Sequence, residues 1–208
     1  MSKWLNPTTT VIAATTLAIL IVPSVAFTQD ALTGATNQAN ASQFALLLAF
    51  VGAGMATILP SLGSILGVSM VGQAGAGLLT EKPDLAGKVI TLAVLPGSQG
   101  LYGMVISLLF IFSYSPLITD PNSNITILQG FILFAAFIPV TITCLTSAPY
   151  QAKVCAAGLH MLAKDGKLAG RVITMAALVE TYALLGFLIS FFMLNTFQAS
   201  LIPPTPVI

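Results

Sequence analysis

Glu180 is a carboxylate inside a long apolar run, Ile173-Thr-Met-Ala-Ala-Leu-Val-Glu180-Thr-Tyr-Ala-Leu-Leu-Gly186. An ionised carboxylate in hydrocarbon is strongly unfavourable, and such residues mark ion or proton paths. A second polar group sits in Leu95-Pro96-Gly97-Ser98-Gln99-Gly100-Leu101-Tyr102-Gly103. Pro96 lacks a backbone donor and crowds the carbonyl of Leu92, so the helical ladder is disturbed there. A kinked, glycine-rich stretch can turn backbone carbonyls toward a cation, and Ser98 and Gln99 add neutral side-chain oxygens. Tyr102 lies one turn beyond Gln99. Gln151, in Pro149-Tyr150-Gln151-Ala152-Lys153, is another amide at similar depth. Each of these neutral groups can equally bond a neighbouring helix. Beside a single carboxylate they also form the oxygen-rich, low-charge set that replaces the hydration shell of a monovalent cation. Na⁺ suits such a set; H⁺ needs only the carboxyl and one acceptor.

The elements that must hold these residues are membrane helices. The chain has 208 residues, 56% hydrophobic and only 6% charged. A soluble domain carries roughly 25% charged residues, so there is too little polar surface to wet a globule. The net charge of +1 and the lack of a basic cluster exclude nucleic acid as a partner. Five apolar stretches are long enough to span or nearly span a bilayer: about 10–26, 44–79, 85–114, 125–162 and 168–197. The first differs from the others. Lys3 precedes it and Pro23-Ser24-Val25-Ala26 ends it, the order of a secretory signal peptide. Cleavage after Ala26 is expected, the alternative being a retained fifth helix.

The resulting organisation is a signal peptide at 1–26, an external polar segment at 27–42, a first helical hairpin at 43–115, a second at 116–199 that carries Glu180, and an external tail at 200–208. The fold class is an all-α membrane protein of two tandem transmembrane hairpins, four helices in all, preceded by a signal-peptide-like helix. Lys82 and Lys88 flank one short loop; Lys153, Lys164, Lys167 and Arg171 flank another. The loop 115–124 holds Asp120 and no Lys or Arg. The positive-inside rule places both basic loops in the cytoplasm and the mature termini outside.

An internal repeat supports the two-hairpin reading. A gapless shift of 83 residues lays Leu85-Ala-Gly-Lys-Val-Ile-Thr on Leu168-Ala-Gly-Arg-Val-Ile-Thr, and about half of the positions from Leu85 to Ser107 are identical. Under this shift Glu180 falls on Gly97, so one hairpin keeps the carboxylate and the other lacks it. Glycines Gly52, Gly54, Gly63, Gly67, Gly72, Gly75 and Gly77 make the first hairpin helix narrow, which lets backbones approach closely in lipid. Cys144 and Cys155 lie on one helix and cannot bridge within it; they read as small packing residues. His160 has no second histidine nearby and reads as a solvated or satisfied side chain.

The two stretches Leu95-Pro-Gly-Ser-Gln-Gly-Leu-Tyr-Gly103 and Val179-Glu-Thr-Tyr-Ala-Leu-Leu-Gly186 closely resemble the rotor-ring proteolipid (K, or c, subunit) of bacterial V-type ATPases, particularly the sodium-pumping kind. The likeness runs from about Ser42 to Phe197; the N-terminal extension departs from it. The resemblance implies a ring of many copies, with the first helix of each hairpin inside and the second outside. It implies Na⁺ (or H⁺) as the transported ion, held by the backbone oxygen of Leu95 and the side chains of Ser98, Gln99, Gln151 and Glu180, with Tyr102 closing the site. Ser98 stands where a threonine is common in that family, keeping the hydroxyl and losing the methyl. The implied partners are further copies of the chain, a stator membrane subunit with an arginine, the central-stalk subunits of a soluble ATPase head, and the lipid of a bacterial plasma membrane. The loops 80–85 and 163–168 are the expected stalk contacts. No catalytic site and no organic cofactor is expected in this chain, which would serve a complex that hydrolyses ATP. One carboxylate per four helices gives few ions per turn, which favours pumping against a steep gradient. The competing reading is a self-contained secondary transporter with an intramembrane carboxylate, for which inverted repeats and broken helices would be usual.

Overall fold

The computed structural model describes residues 38–119 and 125–201, all helical apart from short turns. Helix α1 spans Gln38–Glu81. A 3₁₀ turn at Pro83–Leu85 leads into α2, Ala86–Val94, a second 3₁₀ turn at Leu95–Gly97, and α3, Ser98–Ser113. A short helix α4, Ser115–Thr119, follows. Then come α5, Ile127–Lys164, a 3₁₀ turn at Gly166–Leu168, and α6, Ala169–Leu201. The described residues are therefore all-helical apart from short turns, and among them four spans are long and apolar enough to cross a membrane: α1, the continuous unit Pro83–Ser113, α5, and Gly166–Leu201. Helices are what lipid permits, because every backbone N–H and C=O must be bonded within the segment. Helix α1 begins at Gln38, inside the stretch read as an external polar segment. The signal-peptide region, Asp120 and the tail beyond Leu201 lie outside the described residues.

The internal repeat holds at the level of single contacts. A Cβ on Gly103 would run into the carbonyl of Ala56 and into Pro60; a Cβ on Gly186 would run into the carbonyl of Pro139 and into Thr143. Gly75 is pressed against Val89, and Gly158 against Val172. Ser107 Oγ meets Thr57 at 2.8 Å, and Ser190 Oγ accepts from the Val140 N–H at 3.0 Å. All members of these pairs are related by 83 positions. Each hairpin thus closes by the same close approaches, glycine against a backbone carbonyl or a valine side chain, which in lipid supply the dispersion that apolar solvent exclusion cannot.

The two hairpins then pack mainly through their first helices, α1 against α5. Gly63 admits the Leu145 carbonyl, which a Cβ would meet at 2.6 Å, and Gly130 admits Ala45. Pro149 has no N–H to offer Leu145, and Pro60 none for Ala56. The two freed carbonyls are those that face Gly63 and Gly103, where a glycine Cα–H contact is the available partner. Two apolar clusters fill the interior. One lies around Phe110, Tyr114, Phe137 and Leu194, and the other around Val71, Leu92, Leu159 and Val172.

Both ends of the bundle are tied. The Tyr114 hydroxyl donates to the Leu194 carbonyl at 2.5 Å. At the other end Lys82 Nζ donates to the Ala163 carbonyl, and Lys88 Nζ lies beside Gly166. The two basic turns are therefore neighbours, and the hairpins run in the same direction. Thr126 starts α5 with a reciprocal cap: its hydroxyl accepts from Gln129 N at 3.3 Å, and the Gln129 side chain accepts from Thr126 N at 2.8 Å. Such caps satisfy orphan donors at a helix start.

Candidate ion-binding site

The site forms where the turn Leu95–Gly97, α3, α5 and α6 converge. Pro96 breaks the second span into α2 and α3, and the turn Leu95–Gly97 replaces a regular helical segment. The break is mended from outside. Ser64, on α1, accepts from the Gly100 N–H at 2.9 Å and lies 3.5 Å from the Gly97 carbonyl. A Cβ on Gly100 would stand 3.3 Å from that same hydroxyl, so glycine leaves room for the strut. The equivalent stretch of α6, Leu178–Glu180, has no proline and stays helical. One hairpin thus supplies a bent backbone and the other a carboxylate.

The polar residues expected to act together are brought together. Glu180 Oε1 accepts from the Ser98 hydroxyl at 2.7 Å and from the Tyr102 hydroxyl at 2.6 Å. Its Oε2 is 3.4 Å from Gln151 Nε2. Gln151 is fixed by two more bonds: Nε2 donates to the Ala176 carbonyl at 3.2 Å, and Oε1 accepts from Gln99 Nε2 at 2.6 Å. Gln99 and Gln151 are both fully buried, while Glu180 is partly exposed. The Ser98 hydroxyl also lies 2.9 Å from the Leu95 carbonyl oxygen and 3.4 Å from Gln99 Oε1. One hydroxyl proton cannot serve three acceptors. Ser98 is therefore the hub of an oxygen cluster made of Leu95 O, Gln99 Oε1, Glu180 Oε1 and its own Oγ.

Such a set suits a hard cation: one formal charge, two neutral side-chain oxygens and a backbone carbonyl on a bent segment. The two hydroxyls and the amide that hold Glu180 are all uncharged. Gln151 is oriented differently from the simple expectation. It turns its amide nitrogen, not its oxygen, to Glu180. To ligate a cation through oxygen it must turn over, exchanging its bonds to Gln99 and Ala176. Two participants were not foreseen from the sequence, Ser64 and the Ala176 carbonyl. No local pattern marks a lone serine on a glycine-rich helix, or one carbonyl of a regular helix.

Other candidates play no part here. Cys144 and Cys155 are buried and free, on one helix as expected. Among the described residues no group of three or more His, Cys, Asp or Glu side chains could hold a metal ion.

Fold and site define a membrane proteolipid: tandem hairpins in parallel, with one carboxylate held by uncharged donors at membrane depth. The chain belongs to the ATP synthase C subunit family, which it matches twice, over residues 51–110 and 134–193, once in each hairpin. It is 41% identical over 146 residues to the V-type sodium ATPase subunit K of Enterococcus hirae, covering 70% of this chain and 89% of that protein. It is 33% identical over 149 residues to the A-type ATP synthase subunit K of Methanocaldococcus jannaschii, covering 72% of this chain and 62% of that one. The c′ subunit of the V-type proton ATPase of Eremothecium gossypii is 29% identical over 156 residues, covering 75% of this chain and 92% of that protein.

Proposed function

We propose that this chain is one unit of the membrane rotor ring of a V-type ATPase and that Glu180 carries Na⁺ across the membrane as the ring turns. The observation that carries this reading is the Glu180 carboxylate gripped by Ser98, Tyr102 and Gln151, with the oxygens of Leu95 and Gln99 gathered round Ser98. The 41% identity to a protein named as a sodium ATPase subunit supports Na⁺ over H⁺.

In this reading the loaded site is electrically neutral, which lowers the barrier to moving a carboxylate through lipid. Tyr102 holds Oε1 and keeps the carboxylate turned into the bundle. Loading occurs from the cytoplasm and release outside, where a stator arginine competes for Glu180. The basic turns 80–85 and 163–168, tied to each other through Lys82, face the cytoplasm of a bacterium and meet the central stalk of the ATP-hydrolysing head. Residues 1–26 act as a signal peptide, and the mature termini lie outside. The parallel repeat argues against a self-contained secondary transporter, whose repeats are more often inverted.

The test is transport by the assembled complex in proteoliposomes. Glu180→Gln should abolish ATP-driven ²²Na⁺ uptake while the subunit still assembles. Uptake at the wild-type rate would refute the reading.

A further inference from the structure

The seam between α3 and α6 is aromatic on one side of Glu180. The Tyr102 hydroxyl donates to Glu180 Oε1 at 2.6 Å, and the Tyr102 ring lies 5.7 Å from that of Phe187, centroid to centroid, tilted by 51°. Phe187 in turn stacks on Phe191, at 6.4 Å and 19°. Phe187 stands seven residues beyond Glu180 on α6, which is two turns on and the same face. Helical side chains lean toward the N-terminus, so Phe187 leans back over Tyr102. Glu180, Tyr102, Phe187 and Phe191 thus follow one another along the seam, away from the basic turns and toward the outside in the orientation proposed above.

Two observations tie these rings to the carboxylate rather than to general packing. The first comes from the repeat. Where Gly97 replaces Glu180, Leu185, Met104 and Leu108 replace Tyr102, Phe187 and Phe191. The aromatic ladder therefore belongs to the position that keeps the acid. The second is the placement of Tyr102 itself. Tyr102 and Phe187 are both partly buried and pack on the apolar cluster that holds Cys144 and Ala183, while the α6 neighbour Leu185 is 58% exposed. One hydroxyl bond fixes the tip of a tyrosine but not the plane of its ring. Phe187 supplies the second point of contact.

Resting on the sodium-carrying reading above, we propose that Phe187 is the positioning residue for closure of the site. It has no polar atom to offer the ion. It acts by holding the Tyr102 ring in the pose in which its hydroxyl reaches Glu180, and Tyr102 covers the outer approach only while so held. Phe187 therefore sets how long an ion is retained, not how tightly it is coordinated. The ring contact is the same with the site full or empty. Losing it speeds entry and exit alike and leaves the equilibrium affinity unchanged.

Release of ²²Na⁺ from the purified ring, followed by rapid filtration, reads retention, and equilibrium binding reads affinity. Phe187→Met installs the side chain that stands at the equivalent position of the first hairpin. From the usual strength of an aromatic pair, release should quicken about threefold to tenfold, with affinity within about twofold of wild type. Phe187→Tyr keeps the ring and should release within about twofold of wild type. In a Tyr102→Leu background, Phe187→Met should add less than about twofold, because no ring remains to be held. Phe192→Leu, at an exposed position of the same helix, controls for general loosening and should release as wild type does. Equal release from Phe187→Met and Phe187→Tyr overturns the proposal without any second site. So does an undiminished effect when Tyr102 is replaced by leucine, an equal effect of Phe192→Leu, or a loss of affinity in step with the faster release. A wild-type ring that retains no ²²Na⁺, and whose Glu180 is not shielded by Na⁺ from carbodiimide, overturns the sodium-carrying reading and this proposal together, and is recognised before any variant is made.

Discussion

Ser98 and Glu180 are separated by 82 residues in the chain, yet the Ser98 hydroxyl lies 2.7 Å from the Glu180 carboxylate. The contact crosses from one hairpin to the other, so the site exists only when the two are packed. The candidate ion site is complete only in the packed tandem unit. The carboxylate that is unfavourable in lipid is supplied by α6, and the groups that compensate it come from α3 and α5.

Ser98→Ala removes one oxygen from the cluster and one donor from Glu180. A single hydrogen bond to a charged group contributes about 1.5–3 kcal/mol, so Na⁺ affinity should fall at least roughly tenfold. Ser98→Thr keeps the hydroxyl and should stay within about threefold of wild type, a difference of less than about 1 kcal/mol. ²²Na⁺ binding to the purified ring measures both. Equal affinities for the alanine and threonine variants would remove Ser98 from the site.

Ser64→Ala withdraws the strut across the Pro96 break and removes the part-buried hydrogen bond from the Gly100 N–H. Losing one such bond costs about 0.5–1.5 kcal/mol. The variant should melt at lower temperature in detergent and should bind Na⁺ more weakly, although Ser64 touches no proposed ligand side chain. Ser64→Thr should restore both. Loss of stability with unchanged Na⁺ affinity would make Ser64 a structural residue only.

Gly186→Ala places a methyl against the Pro139 carbonyl and the Thr143 hydroxyl, and Gly103→Ala one against the Ala56 carbonyl. Overpacking of this kind costs about 1–3 kcal/mol. Gly87→Ala meets nothing within 4 Å and should be neutral or slightly stabilising. Thermal melts of the three variants in one detergent check the contrast. Equal melting temperatures would show that the glycine contacts do not hold the hairpins closed.

Much of this was legible in advance because the informative signals were local. Glu180 stands out in its apolar run, Pro96 with its glycines announces a break, and the shift of 83 pairs Gly103 with Gly186 whether or not their contacts are known. What was not legible depends on neighbours in space. The amide orientation of Gln151 follows from the Ala176 carbonyl and Gln99 Nε2, which no spacing rule connects. Ser64 becomes a strut only because α1 passes beside the break. The start of α1 at Gln38 was hidden for a simpler reason. Gln38-Ala-Asn-Ala-Ser-Gln43 is polar enough to read as a loop, but its alanines and glutamines are good helix formers and a long helix extends at little cost once nucleated.

Carbodiimide labelling of the purified ring followed by mass mapping tests the central claim most directly, because these reagents attack a protonated carboxyl in apolar surroundings. The account predicts that Glu180 is labelled, that millimolar Na⁺ protects it at constant pH, and that K⁺ does not. Labelling of Glu180 that only a rise in pH suppresses would contradict the Na⁺ assignment and make the ring a proton carrier. A Glu180 that never reacts would contradict its role as the ion-carrying group.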